Sequence, residues 1–353
     1  MADRIPTYLL IILPLMVTMG VSVHQSHAAA LVVAVAVLLS LRLTSPFLIL
    51  GGLYAAAWMG FVYSWGFLGG NPAVVFTVTD ALIALILGMV FFLAVLHSKA
   101  SAKVIGNIIC VSALLQAGLA FFQMLDWDPI HRMVGAVVQA RASGDFTWTT
   151  PVGTMGNQNW LGAYLSICLP FFFCRDRRWV QPGMAVSLVI LATSTTPILA
   201  ALAGLCFIAF GWLGLGIAGI SGLGYIMAFD HGHLTTGDAR FQYWASGLKA
   251  SFRTWHSALV GWGPGIGWAA DNHLHNGYLQ ILFNYGFVGL GLVVGYIGSA
   301  LKASKMLTAC VVIIAVNMAG NNPLHVIPCA MLILTIMALI ERERRTEQWQ
   351  SNS

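Results

Sequence analysis

The sequence predicts an all-α, polytopic integral membrane protein of about 12 transmembrane helices (range about 10–12). Three observations predict it. Of the 353 residues, 58% are hydrophobic. Only 8% are charged, against roughly 25% in soluble domains. Apolar runs of helical length recur from one end of the chain to the other. So little charge cannot cover a soluble surface, and the same balance excludes disorder. Twelve spans of ~20 residues use about 240 residues, which leaves two sizeable loops and no separate soluble domain. The whole chain, 1–353, reads as one transmembrane domain.

The elements follow in chain order. The run 6–23 comes after Arg4 and leads to Ser26-His27-Ala28, as a signal peptide would. A second apolar run, 28–41, follows immediately, so an uncleaved anchor is expected. Further spans are expected at 46–66, 75–97 and 104–122. A first long loop covers 123–158, and a span at 159–174 follows. The stretch 182–229 must cross an odd number of times. It divides into short runs at 182–196, 197–212 and 213–229, or forms one span with a re-entrant or interfacial remainder. A second long loop covers 230–275, ahead of spans at 276–300, 306–320 and 325–340. The tail, 341–353, is polar, and its Glu341 and Arg345 stand four apart, as at a solvated helix end.

Positive charge orients such a chain. Twelve of the 17 Lys and Arg residues share one side: Arg4, Arg42, Lys99, Lys103, Arg175, Arg177, Arg178, Lys302, Lys305, Arg342, Arg344 and Arg345. That side is expected to be the cytoplasm, with both termini. The other five, Arg132, Arg141, Arg240, Lys249 and Arg253, lie in the two long outer loops. The net charge of +5 is therefore a matter of topology and implies no nucleic-acid partner. The six cysteines form no CxxC pair and avoid both loops, so neither a disulfide framework nor a zinc site is expected. The informative residues face outwards, where no ATP is available. An enzyme built this way needs a substrate that arrives already activated; otherwise the protein transports something.

Three clusters could carry chemistry. The first, Pro151-Val-Gly-Thr-Met-Gly-Asn157-Gln-Asn159-Trp160, stands directly before an apolar span. Asn157 or Asn159 suits an N-cap, and the stretch could simply start a helix. A helix N-terminus also binds anions, and at a membrane surface the expected anion is a lipid phosphate. In the second cluster, read as a helix, Arg240, Trp244, Gly247 and Ser251 share one face. Lys249 and Arg253 share the opposite one, as on an interfacial amphipathic helix with snorkelling cations. Arginine also suits diphosphate, because its planar fork donates two hydrogen bonds at once.

The third cluster is Gly261-Trp-Gly-Pro-Gly-Ile-Gly-Trp268, then Asp271-Asn-His273-Leu-His275-Asn276-Gly-Tyr-Leu-Gln280. The glycines lack the strand context of a dinucleotide fingerprint and read as a turn re-entering the membrane. Asp271, His273 and His275 have poor helical spacing for a metal and no clear further ligand. The histidines are either interfacial or, for one of them, a general base. With an ordinary pKa of ~6.5, imidazole is mostly neutral and available at neutral pH.

The order Gly153-Thr-Met-Gly156-Asn157-Gln-Asn159, Arg240-x-x-x-Trp244, Gly261-Trp-Gly-Pro-Gly265 and His275-Asn276-x-x-Leu279-Gln280 resembles the O-antigen ligase and O-antigen polymerase superfamily. The resemblance covers roughly residues 150–295. It implies a GT-C-like helical bundle in the bacterial inner membrane, with its active site on the periplasmic face. The implied reaction transfers a glycan from a polyprenyl-diphosphate donor to an acceptor hydroxyl, such as lipid A core or another glycan, without metal or other cofactor. By motif, His275 corresponds to the essential histidine that deprotonates the acceptor, and Arg240 to the arginine on the donor diphosphate. Asn157, Asn159, Trp244, Arg253, Asn276 and Gln280 are the expected substrate-binding residues. One departure is Thr193-Ser-Thr-Thr-Pro197, where the family often carries an arginine; Arg253 or Arg132 would have to replace it. Trp160, Trp244 and Trp268 could stack on sugars or anchor at the interface. Ligase and polymerase differ only in acceptor and remain alternatives. A lipid-linked glycan flippase is the rival from another class, but it predicts ionisable residues within several spans, and Asp80 is the main one here.

Overall fold

The computed structural model describes residues 92–93, 95–96, 98, 100–125, 158–173, 184, 187, 194–229, 231–262, 274–325 and 327–352, with the side chains of 223–240, 325–328 and 347–352 outside that description. Every element among the described residues is helical: α1 (Ala102–Met124), α2 (Gln158–Phe173), α3 (Thr195–Phe210), α4 (Trp212–Phe229), α5 (His231–Ser251), α6 (Trp255–Val260), α7 (Gly277–Ala300), α8 (Lys305–Gly320), a 3₁₀ turn at Pro323–His325, and α9 (Ile327–Asn352). Helix α1 and helix α7 are long and apolar enough to cross a membrane; α3 and α8 are apolar but shorter. Sixteen residues rise only ~24 Å, less than the ~30 Å hydrocarbon layer. The expected spans 6–23, 28–41, 46–66 and the first long loop lie mainly outside the described residues.

Helix α2 forms the centre. Residues from Leu161 to Phe172 are all buried, because α1, α3, α8 and α9 pack around it. A helix that is apolar on every side belongs in a protein core or a membrane, and here the neighbours enclose it. The enclosed side chains include Leu161, Leu165, Ile167, Leu169 and Phe171, with Ile105 of α1 and Ile313 of α8 against them. Small residues bring α3 and α8 close. Gly204 abuts the Ile313 side chain, and Gly320 abuts Thr196. Small residues at these positions let the two backbones approach closely.

The stretch 182–229, left open by hydropathy, is helical at Met184 and Ser187 and contains α3 and α4 as separate helices. Gly211, at φ +62°, ends α3, and its N–H donates to the Phe207 carbonyl at 2.8 Å. The chain then reverses into α4, which packs on α3. At the other end of the sequence the structure extends the expectation. The polar tail is no separate element, since α9 runs on through Asn352. Glu341 pairs with Arg344, three residues on, at 2.6 Å.

One end of the bundle gathers charge. Arg342 Nη1 donates to the Val95 carbonyl at 3.3 Å, Arg344 Nη2 to Ser299 Oγ at 3.1 Å, and the Ser304 N–H to Glu343 Oε2 at 2.9 Å. These contacts join the start of α8 and the end of α7 to α9. At the opposite end lie the starts of α2, α3, α7 and α9 and the finish of α8, and the candidate site is built there.

Candidate active site

The site is assembled from helix ends. On α2, Asn159 Oδ1 accepts from Ser194 Oγ at 2.6 Å. Ser194 is the residue before α3, so the stretch that departs from the resembled pattern is fastened to the first motif. Two residues on, Thr196 meets Gly320 at the end of α8. From there the next contacts lead to α7. Asn276 Nδ2 donates to the Ala319 carbonyl at 2.8 Å, and the Gly277 N–H donates to the Asn321 carbonyl at 2.9 Å. Asn159 and Asn276, more than a hundred residues apart, thus occupy one end of the bundle, linked through the last turn of α8.

Asn276 is the N-cap of α7. Its Oδ1 accepts the Leu279 N–H at 3.0 Å, which satisfies one of the free amides of the first turn. Its backbone carbonyl accepts the Gln280 N–H at 2.9 Å. Gln280 is buried, at 3% exposure; its Oε1 accepts the Leu274 N–H at 3.4 Å, and its Nε2 donates to Asn284 Oδ1 at 3.2 Å. The protein's own groups therefore engage both residues.

His275 sits between these fixed points. It is exposed, and its φ is +48°, the one positive value of a non-glycine residue among those described. The left-handed region is unfavourable for L-residues with a Cβ. Such strain persists only where the surroundings dictate it, and it concentrates at functional sites.

Helix α5 delivers the second cluster to this turn. Trp244 Nε1–H donates to the Leu274 carbonyl at 2.6 Å. Gly247, one turn further, is buried against the Leu274 side chain. Ser251, another turn on, is 1% exposed, and its carbonyl accepts from Ser257 Oγ of α6 at 2.9 Å. The face expected from spacing is thus the one that docks for Trp244, Gly247 and Ser251. Arg240 lies on α5 four residues before Trp244; its side chain lies outside the described residues, as do Asn157, Asp271 and His273 entirely. Lys249 and Arg253 are exposed. Arg253 falls past the end of α5, in a turn where its N–H donates to the Ala250 carbonyl.

The start of the glycine-rich stretch locks α6 onto α7. Gly261, φ +82°, lies directly against the backbone of Asn284 and Tyr285, while Gly286, φ +63°, lies against that of Leu259 and Val260. Gly286 is also where α7 leaves helical geometry. The Trp262 N–H donates to the Phe283 carbonyl at 2.9 Å, and Trp262 Nε1–H to the Ala250 carbonyl at 2.9 Å. Around this crossing Phe252, Trp255, Leu259 and Phe287 are exposed.

Two residues here stand outside the expected substrate-binding set. Asn321 is 5% exposed, with no partner for its Nδ2 among the described residues, and Thr196 links α3 to α8. The signal for the first was an Asn321-Asn322-Pro323 step closing an apolar run. No group of His, Cys, Asp and Glu among the described residues is arranged to hold a metal. No protein-family model matches the chain, and no curated protein matches it.

Proposed function

We propose that this protein is an integral-membrane glycosyltransferase of the O-antigen ligase and polymerase kind, with about 12 spans in a GT-C-like bundle. It takes a glycan from a polyprenyl-diphosphate donor and passes it to an acceptor hydroxyl on the periplasmic face of a bacterial inner membrane. Both termini lie in the cytoplasm. The observation that carries the reading is the left-handed backbone of His275, at the mouth of an apolar helix and beside the docking point of the helix that bears Arg240. The motif order over roughly residues 150–295 supplies the reaction class.

In this mechanism His275 takes the proton from the attacking hydroxyl, a contribution typically of ~10²–10⁴-fold. Arg240 and the start of α2 at Asn159, together with Asn157, stabilise charge growing on the departing diphosphate. Attack from the face opposite the diphosphate inverts the anomeric centre. Holding donor and acceptor in one cleft contributes at least as much as proton transfer. No metal or cofactor takes part.

The test is transfer by the purified protein from a defined polyprenyl-diphosphate oligosaccharide. His275→Ala should lower turnover by at least ~10²-fold while still inserting and folding. Arg240→Lys should also be impaired, because a point charge cannot replace the two-pronged guanidinium. Full activity in His275→Ala would remove the imidazole from the mechanism.

A further inference from the structure

The residue before His275 is held at every group it possesses. The Leu274 carbonyl takes the Trp244 indole N–H at 2.6 Å, its N–H points to Gln280 Oε1 at 3.4 Å, and its side chain is 2% exposed and seated on Gly247. The residue after His275 is held as well, since Asn276 caps α7 and reaches the Ala319 carbonyl. With both neighbours fixed, the intervening backbone has no freedom to relax out of its left-handed conformation. The indole is the only one of these holds that comes from α5 through a hydrogen bond, and it stands one turn from Arg240.

We propose that Trp244 is a positioning residue: its indole N–H, with Gly247 as the socket for Leu274, latches α5 onto the turn before α7 and so fixes His275 relative to Arg240. This rests on the glycosyl-transfer reading for its consequence, though not for its geometry. It also gives Trp244 a duty other than sugar stacking. The latch contributes no atom to the reaction; it holds the base where the acceptor hydroxyl arrives.

Trp244→Phe keeps an aromatic ring and removes the donor. The geometry is read by diethyl pyrocarbonate modification of the full-length protein in detergent, followed by mass spectrometry on the His275 peptide, with exposed His256 of α6 as the internal reference. Loss of the latch should change the His275-to-His256 modification ratio by about fivefold, the equilibrium weight of one typical hydrogen bond. General unfolding would raise both rates together. In the transfer assay kcat should fall by a similar factor with the donor KM unchanged. Gly247→Ala places a methyl 2.5 Å from Leu274 Cδ2 and should move the ratio in the same direction, so the proposal stays testable if the tryptophan variant does not fold. An unchanged ratio in both variants overturns the latch. A shifted ratio in the variants, together with a wild-type protein that transfers no glycan, upholds the latch and sinks the glycosyl-transfer reading instead.

Discussion

His275 and its neighbours show how much chemistry one turn can concentrate. The histidine's φ of +48° is a cost that glycine would not bear, because glycine lacks the Cβ that clashes there. That separates folding from function. His275→Gly should be more stable than His275→Ala by about 1 kcal/mol, measured as the order of melting temperatures in detergent, while both lose transfer. The reverse order would mean that the turn is not left-handed. At this scale the sequence was informative about residue type and silent about conformation. An imidazole next to an asparagine at the mouth of an apolar run was visible, and so was the face shared by Trp244, Gly247 and Ser251. That the indole donates to Leu274, and that Gln280 is spent on the same residue, depends on pairings between segments thirty residues apart or across a turn, which no local pattern encodes.

The helices themselves follow from apolar run length. Hydropathy outlined α1, α2, α7 and α8 to within a few residues, because a run long enough to leave water forms a helix to satisfy its own backbone. It did not find the break in α7 at Gly286 or the continuation of α9 as far as Asn352. Both depend on backbone geometry and packing rather than on polarity. Gly286 is one of many glycines in an apolar stretch, and only the crossing of α6 makes it special. Gly286→Ala should cost about 2–4 kcal/mol, from a side chain at positive φ and from overpacking against the Leu259 backbone. Asn276→Ala should cost about 1 kcal/mol for the lost cap. Both are read as lowered melting temperatures of the purified protein. A Gly286→Ala variant as stable as the wild type would show that α6 does not cross α7 there.

Across the whole molecule, one end gathers Arg342, Glu343 and Arg344 with Ser299 and Ser304, and the other gathers the asparagines and the latch. Of the expected site residues, Asn159, Trp244, His275, Asn276 and Gln280 are described at the second end. The enclosure of α2 by four neighbours, and the route from Asn159 through Ser194, Thr196 and Gly320 to Asn276, are properties of the packed bundle. The account's central claim is spatial: the helix of Arg240 and the turn of His275 form one site. The most direct test replaces the six native cysteines, introduces Arg240→Cys together with His275→Cys, and treats native membranes with a short bismaleimide. The account predicts an efficient crosslink joining the two peptides. No crosslink, with each cysteine alone reacting freely with a monofunctional maleimide, would contradict it.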